Sequence, residues 1–280
     1  MSNNRNLNKA KGAKQNEFYT PLPAIESELS HYTEHFANKV VLCNCNDAVY
    51  GGFKAYFLSN FKTLGIKKLI CTAYMGRNGN GVAYIYSDEY GINEEIYELN
   101  GPGDFRSADM ISLLKQSDIV VTNPPFSLFR EFITQLISYG KKFLIIGNMN
   151  AITYNEVFPY IMNNSLWLGT QYVKSFSKNG ETSTRFGNIL WYTNLDNKNR
   201  HSNIPLTYKY DPNVYQTYDN CDAIEVSQTK FIPMDYDGIM GVPISFLGKY
   251  NPNQFRIVGR INNPVLNGKT IYKRLLIQKV

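Results

Sequence analysis

The chain has 280 residues, of which 43% are hydrophobic and 19% charged, and its formal net charge is +6. A chain of this length buries most of its unfolded surface without disulfides or metals, so we expect one large or two small globular domains. It has no apolar run of about 18 residues and begins with a polar stretch, which argues against a membrane span and a secretion signal. The four cysteines form neither a disulfide framework nor a Cys-x-x-Cys zinc pair, so we expect a reduced, cytoplasmic protein.

The positive charge is concentrated at the two ends of the chain. Residues 1–14 contain four basic side chains and no acid. This run is either a solvated tail or a flexible arm that adds electrostatic affinity. Residues 238–280 contain seven basic side chains and no acid, interleaved with aromatic residues such as Tyr250 and Phe255. That mixture indicates a folded surface that binds a polyanion.

Hydrophobic periodicity predicts alternating strands and helices over the first half of the chain. In chain order these are a helix at 21–36, a strand at 39–43, a helix at 53–64, a strand at 68–72, a hairpin at 82–99, a strand at 118–122, a helix at 128–139 and a strand at 143–146. Buried strands that alternate with helices predict an α/β fold with a doubly wound, mostly parallel sheet. Beyond about residue 165 the candidate strands are short, which predicts a second, α+β region.

The most specific motif is Asn123-Pro-Pro-Phe126, which directly follows the predicted strand 118–122. Ligands bind at the carboxyl ends of strands in open α/β sheets, and the consecutive prolines Pro124 and Pro125 make a stiff loop there. The side-chain oxygen of Asn123 and the carbonyl of Pro124 can both accept hydrogen bonds from one NH₂ group, while Phe126 offers a face to an aromatic base. The motif therefore predicts a site for an exocyclic amine. The alternative is a rigid turn in which Asn123 caps the following helix.

This motif and four further segments resemble the EcoRI adenine-specific DNA methyltransferase family. The further segments are residues 16–21, 39–47, 64–70 and 241–246. The resemblance runs from about residue 15 to the C-terminus. It implies a Rossmann-like methyltransferase domain at 15–165 that uses S-adenosyl-L-methionine, a DNA target-recognition region at 166–280, and a basic flexible arm at 1–14. It also favours a monomer.

The resemblance implies three cofactor-binding segments. The first, Phe18, Tyr19 and Thr20, is similar to the segment that closes over the methionine end of the cofactor, and would otherwise be the start of a helix. The second, Asn44, Asn46 and Asp47, stands where relatives place a small-residue loop. It lacks the usual Gly-x-Gly, so these side chains would either bind the amino and carboxylate groups or form an Asx-rich turn.

The third segment is Gly103-Asp-Phe105. Asp104 resembles an acid that accepts a hydrogen bond from the adenine amine of the cofactor. Phe105 resembles an aromatic residue that packs on the adenine ring of the cofactor. A plain turn is the alternative. Asn123 is also expected to contact the cofactor. The end of the second strand, at residues 72–75, has no acid for the ribose hydroxyls, so ribose binding stays unassigned. No metal is needed for this chemistry, and none is expected.

The implied reaction is methylation of N6 of an adenine in duplex DNA. The target adenine must leave the duplex, since N6 is otherwise held in base pairing. Asn123 and Pro124 would hold the amine, Phe126 would stack on the base, and the methyl would pass directly without a covalent enzyme intermediate. DNA contacts are expected from the basic residues of both ends, namely Lys9, Lys11, Lys14, Lys249, Arg256, Arg260, Lys273 and Arg274.

The resemblance further implies GAATTC as the recognition sequence and a restriction-modification system with a separate cognate endonuclease. Two alternatives remain open from sequence. One is an amino-methyltransferase that acts on RNA or on protein glutamine, because the motif suits any planar amine. The other is a non-catalytic DNA-binding module.

Overall fold

The computed structural model describes residues 19–45, 51–76, 79–88, 93–178, 181–185 and 187–280. The chain divides into two compact units. Unit 1 comprises the chain up to Asn148 together with Gln171–Leu195, and unit 2 comprises Met149–Thr170 with Asp196–Val280. Sequence analysis places one boundary between residues 165 and 166, whereas the chain crosses between the units three times. The chain returns to unit 1 because the strand Ile189–Thr193 pairs with the strand Lys142–Asn148.

The largest element of the fold is an eight-stranded sheet. Its strands are β1 (Val40–Cys43), β2 (Lys68–Ala73), β3 (Val82–Ser87), β4 (Asn93–Glu98), β5 (Ile119–Thr122), β6 (Lys142–Asn148), β7 (Trp167–Tyr172) and β10 (Ile189–Thr193). The helices of unit 1 are α1 (Leu22–Leu29), α2 (Gly52–Ser59), α3 (Ala108–Gln116) and α4 (Phe129–Ser138). Strands β8 (Ser175–Lys178) and β9 (Glu181–Arg185) form a separate antiparallel hairpin.

The strand order is β4-β3-β2-β1-β5-β6-β10-β7. The centre of this sheet is parallel, because β1 pairs in parallel with β2 and β5, and β5 pairs in parallel with β6. The predicted hairpin at 82–99 is confirmed as the antiparallel pair of β3 and β4, and β10 runs antiparallel to β6. The predicted α/β class is therefore confirmed, with a parallel centre and antiparallel flanks. The strand order reverses at β1, and such a switch point is where open α/β sheets bind ligands.

Helices cover both faces of the sheet. Alternate side chains of a strand point to opposite faces. Trp191 packs in one hydrophobic cluster with residues of α1 and α2, such as Phe57, while its neighbour Tyr192 contacts Phe129 of α4, with ring centroids 5.0 Å apart. The predicted helix at 21–36 is interrupted, since α1 ends at Leu29 and a 3₁₀ turn follows at Thr33–His35. Its apolar face is nonetheless retained, because the side chains of Leu29, Tyr32 and Phe36 are all fully buried.

Unit 2 contains a five-stranded sheet in the order β11-β12-β13-β17-β14. The elements are α5 (Phe158–Met162), β11 (Thr217–Tyr218), β12 (Cys221–Glu225), β13 (Met240–Pro243), β14 (Phe255–Ile261), β15 (Val265–Leu266), β16 (Lys269–Thr270) and β17 (Arg274–Lys279). The pair β12–β13 is parallel and the other pairs are antiparallel. Strands β15 and β16 form a two-residue hairpin whose turn residues, Asn267 and Gly268, both have positive φ, as such tight turns require.

Short 3₁₀ turns connect many of these elements. They lie at Phe126–Leu128, Met149–Thr153, Lys198–His201, Thr229–Phe231 and Ile244–Lys249. Within the described ranges, no helix is long and apolar enough to span a bilayer.

Candidate active site

Two of the predicted site segments, those of Asn44 and Asn123, lie at the carboxyl ends of β1 and β5. In the parallel pairing of these strands, Leu42 is opposite Val120, so Asn44 and Thr122 come two residues later at the same level. The hydroxyl of Thr122 donates a hydrogen bond to the backbone carbonyl of Asn44. Asn123 follows directly and is half-buried. The two asparagines are therefore brought to the strand ends at the switch point of the sheet.

The loop Asn123-Pro-Pro-Phe126 leads into α4 through a 3₁₀ turn. Pro124 is buried and Pro125 is exposed, and the carbonyl of Pro125 accepts a hydrogen bond from the N–H of Leu128 at 3.0 Å. The N-cap of α4 is Leu128, with no side-chain capping bond, so Asn123 does not cap this helix. The Asn123 side chain is thus not explained as a cap. The ring of Phe126 is half-buried, with its centroid 6.4 Å from that of Phe176.

The segment before α1 is held close to the start of α2. Thr20 is only 5% exposed. A Cβ on Gly52 would lie 2.9 Å from the carbonyl oxygen of Thr20 and 2.8 Å from Cδ1 of Ile25, so only glycine permits this approach. The N-cap of α1 is Pro21, without a side-chain capping bond. The hydroxyl of Thr20 is therefore buried beside the start of α2 and does not cap α1.

Two buried polar atoms of these segments lack a hydrogen-bond partner among the described residues. They are Oγ1 of Thr20 and Oδ1 of Asn44, whose residue is 3% exposed. An unsatisfied buried polar group costs about 1–3 kcal/mol, so each such group needs an explanation. Both belong to segments predicted to hold the amino-acid end of a cofactor. Polar acceptors of this kind suit an ammonium or hydroxyl donor, so these residues fit the expected cofactor.

The loop that contains Asp104 packs against the end of β2. The N–H of Met75 donates to the carbonyl of Pro102 at 3.1 Å. Gly103 has φ +83°, and a Cβ at that position would lie 2.9 Å from the carbonyl oxygen of Ala73. Glycine is required here both for its conformation and for the close backbone contact. Phe105 is 6% exposed, with its ring centroid 5.1 Å from that of Phe132.

Asp104 is held by an arginine that sequence analysis did not single out. Nε and Nη2 of Arg106 donate to the two carboxylate oxygens of Asp104 at 2.9 and 2.8 Å, and its backbone N–H adds a third bond at 2.9 Å. Nη1 of Arg106 bonds Glu131 of α4 at 3.0 Å. The bonds from Arg106 hold the pKa of the Asp104 carboxyl below its ordinary value. In the sequence, the basic residue two positions after Asp104 could have indicated this ion pair.

The predicted basic residues of the C-terminal run differ in their surroundings. Arg274 forms a buried ion pair with Glu225, with Nη2 2.7 Å from Oε1. Arg260 stacks on Phe158 and donates to the carbonyl of Tyr154 at 2.9 Å. Both guanidinium groups therefore stabilise unit 2 itself.

The remaining predicted residues of this run are less enclosed. Lys273 is half-buried and donates to the hydroxyl of Thr153 at 3.0 Å, whereas Lys249 and Arg256 are exposed. Arg256 donates to Oε1 of Gln278. The other predicted residues, Phe18, Asn46, Asp47, Lys9, Lys11 and Lys14, lie outside the described residues.

A parallel-centred α/β sheet with Asn-Pro-Pro-Phe at its switch point, beside buried polar atoms that fit a cofactor, defines a methyltransferase that acts on an exocyclic amine. The sequence profile of the family described as adenine-specific methyltransferase EcoRI matches residues 6–279. The chain belongs to this family, and it is an adenine-specific DNA methyltransferase.

Three curated relatives match over most of their lengths. Type II methyltransferase M.EcoRI of Escherichia coli is 46% identical, with 98% of this chain and 96% of the relative aligned. Type II methyltransferase M.MgeORF184P of Mycoplasma genitalium is 38% identical, with 98% of each chain aligned. Type II methyltransferase M.MpnI of Mycoplasma pneumoniae is 40% identical, with 92% of this chain and 86% of the relative aligned. No solved structure matches the chain significantly. Because the family is adenine-specific, protein glutamine is excluded as the substrate.

The contact between Arg106 and Asp104 predicts a pH-dependent contribution to stability. Arg106→Gln should raise the pKa of Asp104 toward its ordinary value of about 3.9. An NMR titration of the Asp104 carboxyl group measures this pKa. The folded pKa is depressed in the wild type, so the pair stabilises the fold above the unfolded pKa. That contribution is lost as the pH falls through the folded pKa.

The difference in free energy of unfolding between variant and wild type should therefore shrink between roughly pH 5 and pH 2. Glu131→Gln is the matched control, since it removes the other partner of Arg106 and leaves the bonds to Asp104 in place. An unchanged pKa of Asp104 in the Arg106 variant would contradict the assignment.

Proposed function

We propose that the protein methylates N6 of an adenine that has been flipped out of duplex DNA, and that it is the modification enzyme of a restriction-modification system. The observation that carries this proposal is the position of Asn123-Pro-Pro-Phe126 at the carboxyl end of β5, beside Asn44 at the end of β1. The family's adenine specificity agrees with a site built for an exocyclic amine. GAATTC is the recognition sequence that the resemblance implies, and protection of plasmid DNA from a nuclease that cuts GAATTC tests it.

S-adenosyl-L-methionine is the proposed methyl donor, and it supplies an activated methyl group when bound. Thr20 and Asn44, whose buried oxygens have no partner among the residues that the structure describes, would hold its amino-acid end, together with Tyr19 and Asn123. Phe18, Asn46 and Asp47 belong to the same two segments and complete this proposed set.

Asp104 and Phe105 are proposed to bind the adenine end of the cofactor. Three bonds from Arg106 fix the orientation of the Asp104 carboxylate, and its low pKa keeps it an acceptor at neutral pH. A carboxylate has about four acceptor positions, so one stays available for an amine donor. Phe105 is nearly buried against Phe132, and its proposed contribution is an apolar edge rather than an open ring face.

The proposed mechanism assigns positioning and polarisation to the loop after β5. Asn123 Oδ1 and the carbonyl of Pro124 accept hydrogen bonds from the two hydrogens of N6, which shifts electron density toward the nitrogen. Pro124 and Pro125 restrict the loop, so these acceptors lose little entropy on binding. Phe126 stacks on the base and excludes water from one of its faces. When bound, S-adenosyl-L-methionine would supply the methyl group: its bond to sulfur would break as the bond to N6 forms, S-adenosyl-L-homocysteine would leave, and N6 would release one proton to solvent. Direct transfer of this kind would need no covalent enzyme intermediate.

We propose that unit 2 supplies most of the DNA contact and that residues 1–14 form an electrostatic arm. Lys249 and Arg256 are exposed and suit contact with DNA phosphates, as does half-buried Lys273. Arg260 and Arg274 are left out of this set, because their guanidinium groups already bind partners within unit 2.

Asn123→Ala should lower the rate of methylation by roughly 10²–10³-fold, because it removes one preorganised polar contact with the reacting amine. Cofactor affinity, measured by calorimetry, should change by only a few-fold. Phe126→Ala should also slow turnover, and Phe126→Trp should be milder, since a stacking face is retained. Near-normal turnover of the Asn123 variant would remove this residue from the mechanism.

Thr20→Val should weaken cofactor binding while leaving the protein without cofactor equally or more stable. The variant keeps the shape of the side chain and removes a buried hydroxyl that has no described partner. Thr193→Val is the matched control, because the buried hydroxyl of Thr193 donates to the carbonyl of Phe143 at 2.6 Å. The same hydroxyl accepts from the N–H of Leu195 at 3.0 Å, so this control leaves two buried backbone groups unpaired. It should lower the free energy of unfolding by about 1–3 kcal/mol and leave cofactor affinity unchanged. Unaltered cofactor affinity of the Thr20 variant would exclude its hydroxyl from the site.

Lys249→Gln should weaken binding to all DNA sequences alike and reduce the slope of log affinity against log salt by about one unit. The reason is that a phosphate contact releases counterions without reading a base. Lys115→Gln, an exposed lysine in the last turn of α3, is the control and should bind DNA as the wild type does. An unchanged affinity and salt slope for the Lys249 variant would place Lys249 outside the DNA interface.

A further inference from the structure

Unit 2 contains a cavity of about 310 Å³ that the proposed methyl-transfer chemistry does not use. Three aromatic side chains, Tyr208, Tyr215 and Phe231, line it together with Val214, Gln216, Glu225, Ser227 and Leu266. Its volume lies at the lower end of the range for small-molecule pockets, roughly 300–1,000 Å³. The cavity is thus suited to one flat ring system rather than to an extended ligand.

The aromatic walls are fixed before any ligand binds. Tyr208 and Phe231 contact edge to face, with ring centroids 4.9 Å apart. The hydroxyl of Tyr215 donates to the carbonyl of Phe231 at 2.8 Å, and the N–H of Met234 donates to the carbonyl of Tyr208 at 2.8 Å. Side chains held in this way lose little conformational entropy when a ligand stacks on them.

The mouth of the cavity exposes apolar groups. Tyr208 is 43% exposed and Val214 is 69% exposed. A flat ring that packs against these side chains would remove their apolar surface from water, which favours its binding. Gln216 and Ser227, which are also exposed, supply polar groups at the same cavity.

The charge of the cavity favours a neutral ligand. Glu225 is the one carboxylate among the described lining residues, and both of its oxygens accept hydrogen bonds from Arg274. The hydroxyl of Tyr218 donates to the same carboxylate. The ion pair has side-chain exposures of 12% and 10%, so it is largely withdrawn from solvent. A carboxylate that is neutralised and saturated in this way does not select a cation. The ammonium of Lys230 already lies 4.8 Å from the centroid of the Phe231 ring, and it further disfavours a cationic ligand.

We propose that this cavity binds one nucleobase of the DNA substrate that has left the base stack, other than the target adenine. A nucleobase is flat, neutral and aromatic. Its polar edge can pair with the hydroxyl of Ser227 and accept from Nε2 of Gln216, whose Oε1 already accepts from Asn267 at 2.9 Å. Flipping an adenine leaves its partner base unpaired, so the reaction itself provides such a base. This inference rests on the proposed function, because it requires duplex DNA with a flipped adenine as the ligand.

The experiment is a double-mutant cycle between Tyr208→Ala in the full-length protein and abasic substitutions in a duplex that contains the recognition sequence. Abasic sites are introduced singly at each position except the target adenine, and equilibrium DNA binding is measured. Stacking of a base on an aromatic side chain corresponds to roughly a 5- to 150-fold change in affinity. Tyr208→Ala should weaken binding of intact DNA within that range, and it should have no further effect when the inserted base is already missing.

Three variants serve as comparisons. Tyr208→Phe keeps the ring and should bind as the wild type does. Val214→Trp should fill the mouth of the cavity and reproduce the behaviour of Tyr208→Ala. Tyr139→Ala removes a tyrosine of similar exposure, 38%, from the C-terminal end of α4 in unit 1 and should show no coupling to any abasic site. Urea unfolding of each variant confirms that it is folded.

Coupling at one DNA position supports the inference, and additive effects at every position overturn it. The proposed function is tested separately by the methylation of intact duplex by the wild type. If the wild type methylates DNA but Tyr208→Ala shows no coupling to any abasic site, the role proposed for the cavity is refuted and the proposed function stands. If the wild type does not methylate DNA, the proposed function is refuted.

Discussion

The parallel pairing of β1 with β2 on one side and β5 on the other is the constraint on which the candidate site depends. Because β1 is the strand at which the order reverses, the loops that follow β1 and β5 leave the sheet side by side. The bond from the hydroxyl of Thr122, the last residue of β5, to the carbonyl of Asn44, the first residue after β1, joins the two strand ends. The stiff proline loop is thus attached to a rigid strand end. Preorganisation at Asn123 is therefore a property of the sheet as much as of the motif.

Much of unit 1 could be predicted from sequence, because its central strands are buried on both faces and are therefore continuous apolar runs. The hairpin of β3 and β4 was visible as alternation, and Asn123-Pro-Pro-Phe126 was visible because consecutive prolines are rare and locally decisive. The helix at 21–36 was predicted too long, because the apolar period continues through Tyr32 and Phe36 although the α-helical bonding ends near Leu29. Periodicity reports the buried face, and it is less sensitive to where the hydrogen-bond pattern changes.

The parts that could not be predicted depend on contacts between distant residues. The return of the chain to unit 1 was not predicted, because β10 pairs with β6 although the two strands lie far apart in the sequence. Arg274 was predicted to be part of a basic surface, because nothing in the local sequence indicates that Glu225 lies beside it. Conversely, the oxygens of Thr20 and Asn44 that have no hydrogen-bond partner in the described part of the chain become informative only when their burial is known. Charge counted along a sequence overstates the charge offered to a ligand whenever folding pairs some of it internally.

The open edge of the large sheet has a consequence for how the protein meets other molecules. Strand β4 is the outermost strand at that edge, and all six of its residues are exposed. An exposed edge can add strands from another chain, and charged side chains are a common protection against this. Three of the six residues are glutamates, Glu94, Glu95 and Glu98, which repel both a second copy of the same edge and the phosphates of DNA. Negative charge on both faces of this strand thus protects the open edge of the sheet against strand addition.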